Sequence, residues 1–145
     1  MAIRQLANRL YISPQLTQTD IQNAADLGIQ SIICNRPDGE EDGQPAFQQI
    51  KQWCEAAGIR HVVHQPVVAP SINRQDVDRF QDLLAEAQQP VLAYCRTGTR
   101  CSLLWAYHQV AEGMPVADAV SAAKQAGIDL TAFETRLNEA AAGSM

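Results

Sequence analysis

The sequence predicts an α/β fold: one domain with a central, mainly parallel sheet of four or five strands flanked by helices. Short apolar runs that suit buried strands alternate with amphipathic stretches that suit helices. Such alternation implies right-handed crossovers between parallel strands. We expect strands over residues 9–12, 29–34, 60–65 and 90–94, and helices over residues 19–28, 46–57, 73–87, 102–112, 115–127 and 131–141.

Local signals define the individual elements. The strand at 29–34 is rich in isoleucine and almost continuously apolar, as in a strand covered on both faces. Thr19 with Gln22, and Thr131 with Glu134, have the spacing of capping boxes at helix starts. Pro115 occupies the place of a first helical residue. Glycines that follow apolar periodic segments predict three helix ends, at Gly28, Gly58 and Gly113.

Length and composition limit the class of protein. The 145 residues suit a single domain spanning 1–145, with an ordered core from about 8 to 141. The net charge is −5 and no block of lysine and arginine occurs, so we expect no nucleic-acid and no membrane partner. No apolar run approaches the roughly 20 residues of a membrane span, which favours a soluble cytoplasmic protein. Four cysteines without a C-x-x-C pair indicate free thiols, with no metal site.

The most informative segment is residues 94–102 (YCRTGTRCS), between a predicted strand and a predicted helix. A helix N-terminus offers unpaired N–H groups and partial positive charge, so a loop curled over it can hold an oxyanion. The same donors favour the thiolate of Cys95, which makes Cys95 a candidate nucleophile. Arg100 adds a fork of donors that matches two anion oxygens. The expected substrate-binding residues are Arg96, Thr97, Gly98, Thr99 and Cys101.

Three loops should meet at the carboxyl edge of the sheet, where ligands bind in open α/β folds. They are residues 35–45, 67–72 and 95–101. The first is rich in acids, and Asp38 is our choice for a proton-donating catalytic acid because it is nearest the strand end. His64 is an alternative donor. Since His61 and His64 are three residues apart on a strand, they should face opposite sides and share no metal.

The other cysteines divide into two kinds. Cys101 follows Arg100 directly and could donate a weak hydrogen bond to the Cys95 thiolate. It could also resolve an oxidised Cys95, if the two sulfurs meet. Cys34 ends a strand and Cys54 lies on an apolar helix face, so both are expected to be core residues.

The segments 35–40 (NRPDGE) and 95–100 (CRTGTR) carry a resemblance to a known family. From about residue 10 to residue 137, the chain resembles the dual-specificity-phosphatase-like domains found in beta-lactamase-hydrolase-like proteins. The Cys95 to Arg100 loop is similar to the active-site loop of cysteine-dependent phosphatases and of rhodanese-type sulfurtransferases. The resemblance implies a phosphatase-like fold and an anionic or phosphorylated substrate.

Two departures from the phosphatase pattern favour sulfur chemistry. Four residues separate Cys95 from Arg100, whereas the resembling phosphatases have five and the rhodanese relatives have the shorter loop. Residues 66–71 (PVVAPS) occupy the place of the phosphatases' acidic aspartate but contain no acid.

We expect a cysteine-dependent phosphatase-like hydrolase, in which Cys95 attacks phosphorus and Arg100 with the loop amides binds the oxygens. A sulfurtransferase that carries a persulfide on Cys95 is the alternative, with a thiol or persulfide protein as partner. A non-catalytic anion-binding module is a second alternative. None of the three requires a cofactor.

Overall fold

A computed structural model describes residues 2–145, which form a five-stranded sheet between two layers of helices. The predicted α/β class with a mainly parallel sheet is confirmed. The strands are β1 Arg4–Ala7, β2 Leu10–Ser13, β3 Ser31–Cys34, β4 His61–His64 and β5 Val91–Tyr94.

The strand order β1-β2-β5-β3-β4 makes β5 the central strand. β5 pairs in parallel with β2 on one side and with β3 on the other. In this register Tyr94 lies beside both Ser13 and Cys34. The loops that follow β2, β3 and β5 therefore leave the sheet at the same edge, and the loop after β4 joins them because Cys34 also pairs with His64.

Strand β1 is absent from the sequence prediction. It pairs antiparallel with β2 at the sheet edge and begins ahead of residue 8, where the ordered core was expected to start. Only Leu6 of its four residues is buried, so β1 lacks the apolar run that marks the inner strands. The turn to β2 is made by Arg9, whose φ of 60° lies in the left-handed region.

The helices follow the predicted order with shifted starts. They are α1 Gln18–Asp26, α2 Phe47–Ala56, α3 Arg74–Glu86, α4 Thr99–Ala111, α5 Val116–Gln125 and α6 Glu134–Ala141, with single 3₁₀ turns at Ala69–Ser71 and Thr131–Phe133. Within residues 2–145, none of these helices has the length and apolar character needed to cross a membrane.

Three of the shifted starts assign a residue to the wrong place at the helix end. Thr17, not Thr19, caps α1: its Oγ1 accepts from the N–H of Asp20, whose carboxylate accepts from the N–H of Thr17. Thr131 opens a 3₁₀ turn instead of capping α6, because its N–H and hydroxyl both donate to Asp129. Pro115 stands one place before α5 rather than inside it.

The two faces of the sheet bury separate cores. Ile33 and Ala93 face the layer of α3, α4, α5 and α6, whereas Ile32 and Leu92 face α1 and α2. Alternation along the strands sends neighbouring residues to opposite layers. Helix α4 is buried on almost every side, from Cys101 to Tyr107, so the layers fix the position of its first turn.

We expect Leu83→Ala to lower the free energy of unfolding by about 2–5 kcal/mol, because Leu83 lies in the larger core and its truncation leaves a cavity. Leu27→Ala is the matched control: this leucine is 45% exposed, and its loss should cost less than about 1 kcal/mol. Urea denaturation of both variants measures the difference. Equal losses would contradict the layer assignment.

Candidate active site

The loop from Cys95 to Gly98 connects the central strand β5 to the buried helix α4. Helix α4 begins at Thr99, three residues earlier than predicted. Gly98 adopts a φ of +93°, a conformation that side chains other than glycine rarely tolerate, and a Cβ there would lie 3.1 Å from Cδ1 of Ile128. Ser102 secures the same turn, since its Oγ donates to the Gly98 carbonyl at 2.9 Å. The sequence pattern does not predict this role of Ser102.

The Cys95 sulfur lies at the centre of this turn. The N–H of Gly98 donates to Sγ at 3.1 Å, and the residue is fully buried. A hydrogen bond from the Cys101 thiol is the main reason that the pKa of Cys95 falls from 9.0 to about 5. Peptide N–H groups of Cys101, Thr97 and Arg100 lower the pKa further, against the desolvation that raises it. Cys95 is therefore a thiolate at neutral pH.

Cys101 is the second sulfur that affects the titration of Cys95. It is fully buried in the first turn of α4. Burial, followed by the hydrogen bond to Cys95, raises the pKa of Cys101 well above its ordinary value. One sulfur of the pair is thus a thiolate and the other a protonated donor. Cys34 and Cys54 are buried thiols whose pKa values burial raises to about 11 and about 12, in agreement with core positions.

Arg100 extends from α4 to the loop after β3. Its Nη1 and Nη2 donate to the two carboxylate oxygens of Glu40, both at 2.8 Å. Nη1 also donates to the Val67 carbonyl at 3.0 Å. The side chain is only 12% exposed, so this bidentate pair is largely shielded from water.

A second arginine lies behind Glu40. Arg36 is 1% exposed, and its three nitrogens donate to Glu40, Glu41 and Gln15 at 2.8–2.9 Å. Hydrogen bonds from Arg100, followed by those from Arg36, lower the pKa of Glu40 to about 2. Glu40 is consequently a permanent carboxylate near neutral pH and donates no proton.

An open cavity of about 370 Å³ lies beside these groups and is lined by Arg36, Glu40, Glu41, Arg96 and Arg100. Arg96 is 63% exposed, with Glu41 3.8 Å from its Nε. Thr97 and Thr99 lie at the exposed rim, where their hydroxyls are 3.0 Å apart. The cavity thus presents three guanidinium groups and two carboxylates above the Cys95 loop, a charge balance that suits an anion.

Asp38, the predicted acid, lies outside this cavity. Its Oδ1 accepts from the N–H of Phe47 at 2.8 Å, at the first residue of α2. An acidic side chain at a helix start satisfies a donor that the helix leaves free. The geometry therefore gives Asp38 a structural role and does not bring it to Cys95 or Arg100.

Neither His61 nor His64 lines the cavity beside Arg100, and residues 66–71 contain no acidic side chain. Nε2 of His64 is 2.8 Å from the Arg36 carbonyl, and its ring stacks on Phe47 with centroids 4.6 Å apart. His61 lines a different cavity, at the amino ends of the strands, with Arg60 and Glu86. The loop 66–71 contributes the Val67 carbonyl and a half-exposed Val68. Across residues 2–145, no group of three His, Cys, Asp or Glu side chains is arranged to hold a metal ion.

Glu40 is a site residue that the sequence pattern does not single out. It is one of several acids in the loop after β3, although it lies in the segment 35–40 that carries the family resemblance. That segment was the available signal. Nothing in the local sequence indicates the pairing with Arg100, which is sixty positions away.

The fold and the Cys95 loop are those of a phosphatase-like domain. Residues 2–112 match the sequence profile of the phosphatase-like domain of beta-lactamase hydrolase-like proteins. The chain belongs to that family.

Relatives agree with this assignment. The Beta-lactamase hydrolase-like protein of Agrobacterium fabrum is 37% identical over 129 residues, which cover 88% of this chain and 30% of that protein. The chain thus spans about a third of the length of the curated relatives it matches.

Solved structures give the same result. A crystal structure of a candidate phosphatase from Neisseria meningitidis is similar with a TM-score of 0.95 and 56% identity, covering 97% of this chain and 99% of that one. The core catalytic domain of a PP-IP phosphatase from S. cerevisiae has a TM-score of 0.73 at 14% identity, over 95% of this chain and 84% of that one. At that identity the likeness concerns the fold alone.

We expect Cys101→Ala to raise the pKa of Cys95, because the substitution removes the donor that stabilises the thiolate most. Ultraviolet absorbance of the thiolate, followed against pH and compared with Cys95→Ser, measures the midpoint, which should be near 5 in the wild type. Cys54→Ala is the control and should leave the midpoint in place, since Cys54 titrates near 12. An unchanged midpoint in Cys101→Ala would mean that the peptide N–H groups suffice.

Proposed function

We propose that this protein is a cysteine-dependent phosphatase that hydrolyses phosphomonoesters. The Cys95 thiolate attacks phosphorus, an S–P bond forms, and the P–O bond to the leaving group breaks. Water then attacks the phosphocysteine, so that phosphate leaves and the thiolate returns. Loop amides and Arg100 bind the equatorial oxygens in both steps. No cofactor takes part.

One observation carries this proposal: the Cys95 sulfur is buried at the start of a helix and accepts from the Gly98 N–H. Its surroundings lower the pKa of Cys95 to about 5, and its charge interacts with the Arg100 guanidinium. A thiolate of low pKa is a nucleophile at neutral pH. Donors fixed around the sulfur can also receive the oxygens of a tetrahedral anion, because they are oriented before the reaction begins. Membership of a phosphatase-like family supports phosphorus as the attacked atom.

Rhodanese-type sulfur transfer is the second candidate, in which Cys95 takes sulfane sulfur from a donor and passes the persulfide sulfur to an acceptor thiol. Two observations favour it. Four residues separate Cys95 from Arg100, as in the shorter loops of the resembling sulfurtransferases. The loop after β4 also carries Val67 and Val68, which cannot donate a proton. An alkoxide that leaves a phosphate ester needs such a donor, whereas sulfite that leaves thiosulfate does not. A non-catalytic anion-binding module would need no thiolate, so the low pKa of Cys95 weighs against it.

We expect an aryl phosphate to release phosphate with the wild type, and Cys95→Ser to abolish this release because serine is not ionised at neutral pH. Intact mass measured after exposure to thiosulfate tests the alternative in parallel. A gain of one sulfur atom that disappears in Cys95→Ser, without phosphate release from the ester, would replace the phosphatase by the sulfurtransferase. Ligand binding without either reaction would leave the anion-binding module.

We also expect a strong dependence on the leaving group. General acid catalysis contributes about 10²–10⁴-fold. Asp38 accepts from the start of α2, away from the cavity, and the low pKa of Glu40 leaves it without a proton for a departing oxygen. The specificity constant should therefore fall steeply from aryl phosphates of low leaving-group pKa to alkyl phosphates. Steady-state kinetics on a series of substituted phenyl phosphates measure the slope. A flat series would indicate an acid that these residues do not supply.

A further inference from the structure

Glu40 connects two arginines that belong to different parts of the site. Its Oε1 accepts from Nε of Arg36 at 2.9 Å and from Nη2 of Arg100 at 2.8 Å, while Oε2 accepts from Nη1 of Arg100 at 2.8 Å. Arg36 is itself immobilised, because it is buried and held by Gln15 and Glu41. The Glu40 carboxylate therefore has a fixed support on one side and Arg100 on the other.

The contacts of Arg100 leave one edge of its guanidinium open. Of its five N–H groups, two on Nη1 donate to Glu40 and Val67, and one on Nη2 donates to Glu40. In the described part of the chain, no group accepts from Nε of Arg100. The Nε–H and the second Nη2–H lie on the adjacent edge of the fork, and two parallel donors on one edge bind two oxygens of an anion.

The first turn of α4 explains why Arg100 needs outside support. Successive residues on a helix point about 100° apart. Cys101 is buried in the core, whereas Arg100 reaches Glu40 and the Val67 carbonyl, so the two side chains leave the helix in different directions. A long arginine side chain has many rotamers, and fixing one of them costs entropy. The carboxylate and the Val67 carbonyl hold this side chain in a single arrangement.

We propose that Glu40 is a positioning residue, which holds Arg100 with its Nε and Nη2 edge free for the anion bound at Cys95. This inference rests on the proposed function, since it specifies how the anion clamp of that site is oriented. Glu40 touches neither the thiolate nor the phosphorus. Its ionised state, with a pKa of about 2, separates this role from that of a proton donor.

Glu40 could either hold Arg100 in place for the anion or compete with the anion for Arg100, and the two roles predict opposite effects of removing its charge. A carboxylate near an anion site is repulsive when unpaired, but Glu40 is shared by two arginines, which leaves the three side chains with one net positive charge. If Glu40 acted as an internal competitor, its removal would free Arg100 for the ligand and tighten binding. If it positions Arg100, its removal releases the guanidinium and weakens binding. The sign of the change decides between them.

Calorimetric titration with inorganic phosphate tests the proposal. We expect Glu40→Gln to weaken phosphate binding by about tenfold or more, because charge-assisted hydrogen bonds to Arg100 are lost. Glu41→Gln is the matched comparison: it alters the same loop and removes a carboxylate from Arg36, but Glu41 is half exposed and does not touch Arg100. Its loss should be less than about fivefold. Glu55→Gln, on the exposed side of α2, should bind phosphate as the wild type does.

Aryl phosphate kinetics with the same variants add a readout that a purely structural role would not change. The Michaelis constant should rise and kcat should fall in Glu40→Gln, since Arg100 binds oxygens in both the ground state and the transition state. The acidic limb of the pH profile of kcat/KM reports the ionisation of Cys95. Its midpoint in Glu40→Gln should not lie above the wild-type midpoint by more than the error of the measurement. Glu40→Asp should recover part of the loss.

Three results would overturn the proposal: tighter phosphate binding in Glu40→Gln, equal losses in Glu40→Gln and Glu41→Gln, or no phosphate binding by any of the proteins. Thermal unfolding of each variant shows whether it is folded. If Glu40→Gln is not folded, Glu40→Asp replaces it in the comparison of phosphate binding with the wild type. If the wild type binds phosphate but hydrolyses no ester in a Cys95-dependent way, the proposed function fails while the binding comparison still decides the role of Glu40.

Discussion

The hydrogen bonds that converge on the Cys95 sulfur are the constraint on which the site depends. A buried anion is costly unless donors surround it, and here the donors are the Gly98 N–H and neighbouring groups of the first turn of α4. They can converge only because α4 starts where β5 ends, at the centre of the sheet. The packing of α4 between α3, α5 and α6 keeps that turn in place. The interior of the domain thus sets the pKa of one sulfur.

The buried Arg36 is the second constraint on the site, because its guanidinium needs hydrogen-bond acceptors from loops other than the Cys95 loop. Arg36 cannot lose its charge, so its burial requires acceptors on every nitrogen. Gln15 from the loop after β2 and two glutamates from the loop after β3 supply them. Glu40 then reaches Arg100, which joins both loops to α4. The local result is an arginine-rich cavity on a chain whose net charge is −5.

Local sequence patterns predicted the strands, helices and loop that contiguous residues determine. They did not predict contacts between segments that are distant in the sequence. The apolar runs of the inner strands were correctly identified, and the helix expected from residue 73 begins at Arg74. Strand β1 was missed because an exposed edge strand needs no apolar run. The Cys95 loop could be predicted since its parts are contiguous. Asp38 was favoured over Glu40 for its nearness to the strand end, but α2 uses Asp38 and Arg100 binds Glu40, and both pairings are set by how loops close in space.

The offset between Cys101 and Arg100 explains how the loop can differ from the phosphatase pattern and still form a clamp. With five intervening residues, the arginine of the resembling phosphatases would fall at position 101, and the following hydroxyl at Ser102. Ser102 does donate to the loop, at Gly98. Position 101 instead holds a buried thiol, which lowers the pKa of Cys95. Moving the arginine one place earlier changes its direction by about 100° around the helix axis, and from position 100 it reaches Glu40, which also pairs with Arg36.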